Sequence, residues 1–159
     1  MKKVILITLI AAFSQSGISQ SEQDKILSRI SNSFSVQFPS AHLKNLKFKN
    51  NNYIAEFTVD NKKLFAFYSV DANWLKTETK IKWTWDLPPK VENAFFKSKY
   101  GNWAINEIKE IQMPAQHLYS IHVNDGDLLD SNHYDVFIQD VIFYFKPDGG
   151  LQKSIMQNE

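Results

Sequence analysis

The densest group of chemistry-bearing side chains is the run Asn124-Asp125-Gly126-Asp127-Leu128-Leu129-Asp130. Its carboxylates could offer the oxygen ligands that calcium prefers. Their order does not follow the EF-hand loop, where glycine comes after three ligand positions. Asp, Asn and Gly are also the residues of an ordinary turn, and a turn is the reading adopted. The histidines His42, His117, His122 and His133 are scattered. His117 and His122 differ in parity along one expected strand, so they face opposite ways. With no cysteine and no H-E-x-x-H, no zinc site is expected. No serine sits in a G-x-S-x-G elbow, and the chain's 5 glycines form no phosphate loop. Paired hydrolytic carboxylates carry no local signature, so the sequence leaves that class alone open. The residues otherwise predict no catalysis, no metal and no cofactor.

What the side chains can do is adhere. Aromatics make up 14% of the chain. Two runs, Leu64-Phe65-Ala66-Phe67-Tyr68 and Val141-Ile142-Phe143-Tyr144-Phe145, are apolar on both strand faces. A sheet covered by helices on one side needs only one apolar face. The second set (Phe65, Phe67, Ile142 and Tyr144) is therefore expected to meet a partner. The alternative is that a loop or the segment next to the leader covers it. Trp74 follows a turn and is expected at the rim of the same partner site, with a lid over the core as the alternative. Trp83 and Trp85 share parity with Ile81 and are expected to lock two halves of the chain together. An aromatic platform is the other reading.

These side chains are positioned by a message stated twice. Setting Asp71 on Asp148 brings an apolar run, a polar turn and a lysine (Lys76, Lys153) into register. The first half opens on a helix, with Ser21-Glu22-Gln23-Asp24 as a capping box and Leu27, Ile30, Phe34 and Phe38 at helical spacing; Pro39 stops it. Strands are expected over 41–49, 53–59, 63–70 and 74–85, with Asn-rich and Asp-rich turns between them. The second half restarts at Asp86 as N-cap, with Pro88 and Pro89 in the first helical turn. Val91, Ala94, Phe95 and Phe96 carry the apolar positions, and Tyr100-Gly101 ends the helix. Strands follow over 103–113, 118–123, 134–146 and 151–155. The distance between echoed positions widens from Phe38/Tyr100 through Tyr53/Tyr119 to Asp71/Asp148, as insertions in the second copy's loops would produce. The expectation is α+β: two αββββ units, 20–86 and 87–159, sharing one antiparallel sheet with helices on one face.

The ends and composition set the compartment. Lys2 and Lys3, the apolar run 4–13, and the small residues Gly17 and Ser19 form a secretory signal peptide over 1–19, cleaved before Gln20. The apolar run is too short to span a bilayer. Without cysteine there is no lipoprotein anchor and no disulfide, so the fold must rest on its hydrophobic core. The full chain carries 18 basic and 17 acidic residues; losing Lys2 and Lys3 leaves a net charge near −1. A nucleic-acid binder would carry a basic excess.

Several stretches together carry a family resemblance: Phe34…Phe38-Pro39, Asp71…Asn73-Trp74-Leu75-Lys76-Thr77-Glu78, Leu87-Pro88…Val91, Tyr100…Trp103-Ala104-Ile105…Ile108 and Phe145-Lys146-Pro147-Asp148-Gly149-Gly150-Leu151. The chain resembles the PepSY-like family described as β-lactamase-inhibitor-like (BLIP-like), small exported bacterial proteins. Ala72-Asn73 stands where that family has a glycine turn, and Tyr100-Gly101 where it has an aromatic-proline pair. The resemblance implies a tandem α+β fold with a concave, adhesive, helix-free sheet face. It implies no enzyme activity and carries no site residues to transfer. The resulting expectation is a non-catalytic periplasmic or secreted binding module that recognises an envelope or extracellular protein or peptide. Restraint of an envelope hydrolase would follow by fold analogy alone. The alternatives are a carrier or sensor of a small hydrophobic ligand held between sheet and helices, and self-association through the same face. No nucleic acid and no membrane anchor are expected after cleavage.

Overall fold

The computed structural model describes residues 20–125 and 139–157; the expected leader, His133 and most of the acidic run 124–130 lie outside the described residues. Helix α1 (Gln20–Gln37) is followed by strands β1 (His42–Lys49), β2 (Asn52–Val59), β3 (Lys62–Tyr68) and β4 (Trp74–Ile81). A 3-10 turn (Thr84–Asp86) leads into helix α2 (Pro89–Phe96), and β5 (Ala104–Gln112), β6 (His117–Asn124), β7 (Asp140–Phe145) and β8 (Leu151–Gln157) complete the order. The eight strands form one antiparallel sheet, each paired with its neighbours in sequence. The α+β expectation holds in this form.

Turn chemistry fixes the first hairpins. Asn50 and Asn51 close β1–β2 with φ of 51° and 59°, and Asp60 and Asn61 close β2–β3 with φ of 48° and 61°. Two successive left-handed residues match the twist of paired strands, and Asn and Asp tolerate that conformation.

Strand parity then sorts the side chains. Tyr53, Ala55 and Phe57 alternate as buried residues on β2 and pair with Tyr68, Ala66 and Leu64 on β3. Ile30 and Phe34 of α1 pack on this set. Following the register, Ala66 meets Thr77, Ile81 meets Ile108, and Ile121 meets Phe143, all on one face. Leu87, Val91 and Phe95, at and just before α2, pack on the second half of that face with Ile121, Val141 and Phe143. Both helices therefore cover the same side of the sheet. Tyr68 is fully buried there, and burial pushes its hydroxyl up to about 12, so the ring stays neutral.

Three local expectations are corrected. The strand expected over 74–85 ends at Ile81, because the chain must leave the sheet there to reach the helical layer. Asp86 lies in the 3-10 turn, and Pro88 takes the N-cap position with no side-chain cap. The second helix ends at Phe96, before Tyr100.

Candidate functional site

The helix-free face is built from the opposite parity of the same strands. Ile54 and Glu56 on β2 pair with Phe67 and Phe65 on β3, which pair in turn with Lys76 and Glu78 on β4. Glu78 meets Ile111, Lys109 meets Ser120, Ser120 meets Tyr144, and His122 meets Ile142. Phe65, Phe67, Ile142 and Tyr144 thus stand on the face that neither described helix covers, each half-buried by its neighbours. The first pair and the second lie on opposite sides of a central charged belt.

That belt was not foreseen. Lys76 and Lys109 both pair with Glu78, and Lys109 also meets Glu107 at 2.6 Å. Burial opposes charge on Lys109, yet bonds and charges from Glu107 and Glu78 hold its pKa above the ordinary value. The belt borders a pocket of about 360 Å³. Ile111, Leu118 and Ser120 line it and are buried although neither described helix covers them. Ile142, Tyr144 and Lys153 close one side, and Met113 and Gln116 of the β5–β6 turn join the lining. Burial and the Glu78 carboxylate push the Tyr144 hydroxyl up, so it is available as a hydrogen-bond donor. The rings are capped by lysines: Lys63 over Phe65 at 5.1 Å, Lys76 over Phe67 at 4.5 Å and Lys153 over Tyr144 at 4.5 Å. His122 bonds Asp140 across 2.8 Å on the same face. An apolar floor with an ionic belt and capped rings can hold a surface of mixed polarity. Among the described residues no cluster of His, Asp or Glu is placed to hold a metal.

Trp74 is not on this face. A bulge between Phe67 and Tyr68 slips the register, so Trp74 pairs with Tyr68 and packs on the α1 core. Its indole Nε1–H donates to Thr77 Oγ1 at 3.0 Å. Of its two expected positions, Trp74 takes the one over the core.

Trp83 and Trp85 do not lock the halves together. They flank Thr84 beyond the end of β4 and stack on one another at 4.9 Å and 14°, with exposures of 46% and 67%. Lys82 lies over the Trp83 ring. A buried tryptophan replaced by alanine costs about 3–5 kcal/mol. Here Trp83→Ala and Trp85→Ala are each expected to lower the unfolding free energy by about 1 kcal/mol or less, since exposed side chains contribute little. Urea denaturation measures it, and a loss in the core range would restore the packing role.

No protein-family model matches the chain, and no curated relative matches it. Solved structures do. A BLIP-like protein from Bacteroides fragilis superposes with a TM-score of 0.70 at 25% identity, covering 83% of this chain and 86% of that one. A DUF2874 family protein from Bacteroides ovatus gives 0.68 at 22% identity, covering 80% and 85%. A protein from Bacteroides eggerthii, described provisionally as periplasmic, gives 0.66 at 18% identity, covering 80% and 86%. Among the described residues no helix is long and apolar enough to cross a membrane. The chain thus shares its open antiparallel sheet and paired helices with a group of Bacteroides proteins that includes a BLIP-like one.

Proposed function

We propose that this chain is a PepSY-like, BLIP-like, non-catalytic module exported after removal of residues 1–19, and that it captures a protein or peptide of the envelope or exterior on its helix-free sheet face. Restraint of an envelope hydrolase is the regulatory form of this reading. The observation that carries it is a sheet face that neither described helix covers, where Ile142 and Tyr144 line a pocket and Phe65 and Phe67 stand across the charged belt. Aromatic anchors around a partly desolvated pocket are the usual centre of a protein interface. A carrier of a hydrophobic ligand would instead bury its cargo between sheet and helices. The pocket here lies on the other side and is ringed by Lys76, Glu78, Glu107, Lys109 and Lys153.

The reading includes an origin in two copies of one αββββ unit. Its support is local. In the β3–β4 turn, Ala72 N–H donates to Ser69 O and Ser69 N–H to Asn73 O; in the β7–β8 turn, Gly149 N–H donates to Lys146 O and Lys146 N–H to Gly150 O. The left-handed residues Ala72 (φ 64°) and Gly149 (φ 86°) occupy the same place in that alignment.

The test is capture from a native envelope fraction with tagged chain 20–159, followed by calorimetry with the purified captured protein. Phe65→Ser/Phe67→Ser is expected to stay folded and to weaken binding about tenfold or more. Capture of nothing, or equal binding by a folded double variant, would sink the reading.

A further inference from the structure

We propose that the pocket on the helix-free face seats a carboxylate side chain from an acidic segment of the captured protein, held by the Lys153 ammonium and the hydroxyls of Ser120 and Tyr144. The inference rests on the reading above and names the chemistry of its partner.

One row across the sheet carries the argument. Lys109 on β5 stands opposite Ser120 on β6, Ser120 opposite Tyr144 on β7, and Tyr144 opposite Lys153 on β8. All four line the pocket. The Lys153 ammonium lies over the Tyr144 ring at 4.5 Å, and Tyr144 is one strand spacing, about 5 Å, from Ser120. Ser120 is only 7% exposed, yet among the described residues its hydroxyl has no hydrogen-bond partner, and neither has that of Tyr144. A buried hydroxyl left without a bond costs free energy. A ligand in the pocket that Ser120 lines would supply the missing bond.

Charge selects the ligand. Around the pocket Lys76 and Lys109 are set against Glu78 and Glu107. That leaves Lys153 as the lining lysine with no carboxylate partner among the described residues. In β1–β3 the same face presents Lys47, Lys49 and Lys63 against Glu56 alone. Chain 20–159 as a whole is expected near −1, so positive charge is concentrated on this face, where it draws an acidic partner. A carboxylate fits better than a phosphate. Phosphate recognition uses arginine forks or backbone nests, and the chain's one arginine, Arg29, is on α1 and donates to Asp71 O. One unpaired ammonium matches one negative charge, and Glu78 and Glu107 would repel a second. Ile111, Met113, Leu118 and Ile142 give the lining an apolar part for the stem of the acidic side chain and its apolar neighbours.

The experiment is an amide NMR titration of chain 20–159 with the capped tripeptides Leu-Glu-Leu and Leu-Gln-Leu and with inorganic phosphate. The Glu peptide should shift the Ser120, Tyr144 and Lys153 amides saturably. The Gln peptide should bind about tenfold or more weakly, as loss of a charge-assisted bond implies, and phosphate should bind more weakly than the Glu peptide. Lys153→Gln should remove the preference for Glu, and Lys153→Arg should keep it. Ser120→Ala should weaken the Glu peptide severalfold without lowering stability in urea, a combination that a merely structural serine would not give. Equal binding of the two peptides, no saturable shift, a preference that survives Lys153→Gln, unchanged binding by Ser120→Ala, or tighter binding of phosphate would each overturn the inference. The reading beneath it fails separately, through capture of nothing or equal binding by Phe65→Ser/Phe67→Ser. A captured protein that binds Lys153→Gln as well as the unsubstituted chain overturns the carboxylate site alone.

Discussion

Phe57→Ala should lower the unfolding free energy by about 3–5 kcal/mol, a large share of the roughly 5–15 kcal/mol that holds a domain of this kind together. Phe57 is fully buried in the middle of β2. Phe34 of α1 meets its ring edge-on at 5.0 Å and 85°, and Phe38 lies against it at 4.6 Å. Alanine would leave a void that two aromatic neighbours and a paired strand can collapse into only partly. The informative control is Phe67→Ala on the next strand. Phe67 is a phenylalanine of the same size, but it points to the uncovered face, where truncation should change stability by about 1 kcal/mol or less. Urea denaturation of the two variants side by side decides the matter. Similar losses would mean that the open face is as much a structural core as the covered one, and the separation between folding residues and contact residues would fail.

That separation was legible in the sequence wherever strand alternation ran undisturbed. Parity alone sorts Tyr53, Ala55 and Phe57 from Ile54 and Glu56, and Phe65 and Phe67 from Leu64, Ala66 and Tyr68. It fails where geometry breaks the count. Trp74 has the parity of Lys76, an open-face residue, yet the bulge at Phe67/Tyr68 carries it to the covered side. A bulge of this kind moves a side chain across the sheet without leaving a mark in composition. Ile81, Trp83 and Trp85 alternate as a strand would, but β4 pairs with β5 only as far as Ile81, and beyond that the chain turns toward α2. The pocket was illegible for another reason. Ile111 and Leu118 read as ordinary strand apolars, yet they are buried around a pocket on a face that neither described helix covers. The charge belt needs cross-strand register to set Glu78 beside Lys109, and register is a property of the folded sheet.

Gly149→Ala should destabilise the protein by about 2–5 kcal/mol, combining the left-handed penalty of ~1–2 kcal/mol for a residue with a Cβ and an overpacking cost of ~1–3 kcal/mol. Gly149 sits in the β7–β8 turn with φ of 86°, and a Cβ there would meet Lys90 O of α2 at 2.5 Å. The turn is thus pressed against the first turn of the second helix, and only a residue without a side chain fits. The aligned position in the other half separates the two causes. Ala72 already holds a left-handed φ of 64° in the β3–β4 turn, where Arg29 Nη2–H of α1 donates to the neighbouring Asp71 O at 2.8 Å. That turn is tied to its helix by a long side chain, and the Ala72 methyl is buried in the α1 core. Ala72→Gly relieves the conformational cost but removes a buried methyl worth about 0.8 kcal/mol, so it should change stability by less than about 1 kcal/mol, while Gly149→Ala loses more than the conformational term can supply. Thermal and urea denaturation of both variants measure the two effects. If Gly149→Ala lost no more than the ~1–2 kcal/mol of the left-handed term, backbone conformation alone would account for the position. The close contact between the β7–β8 turn and α2 would then contribute nothing to the fold.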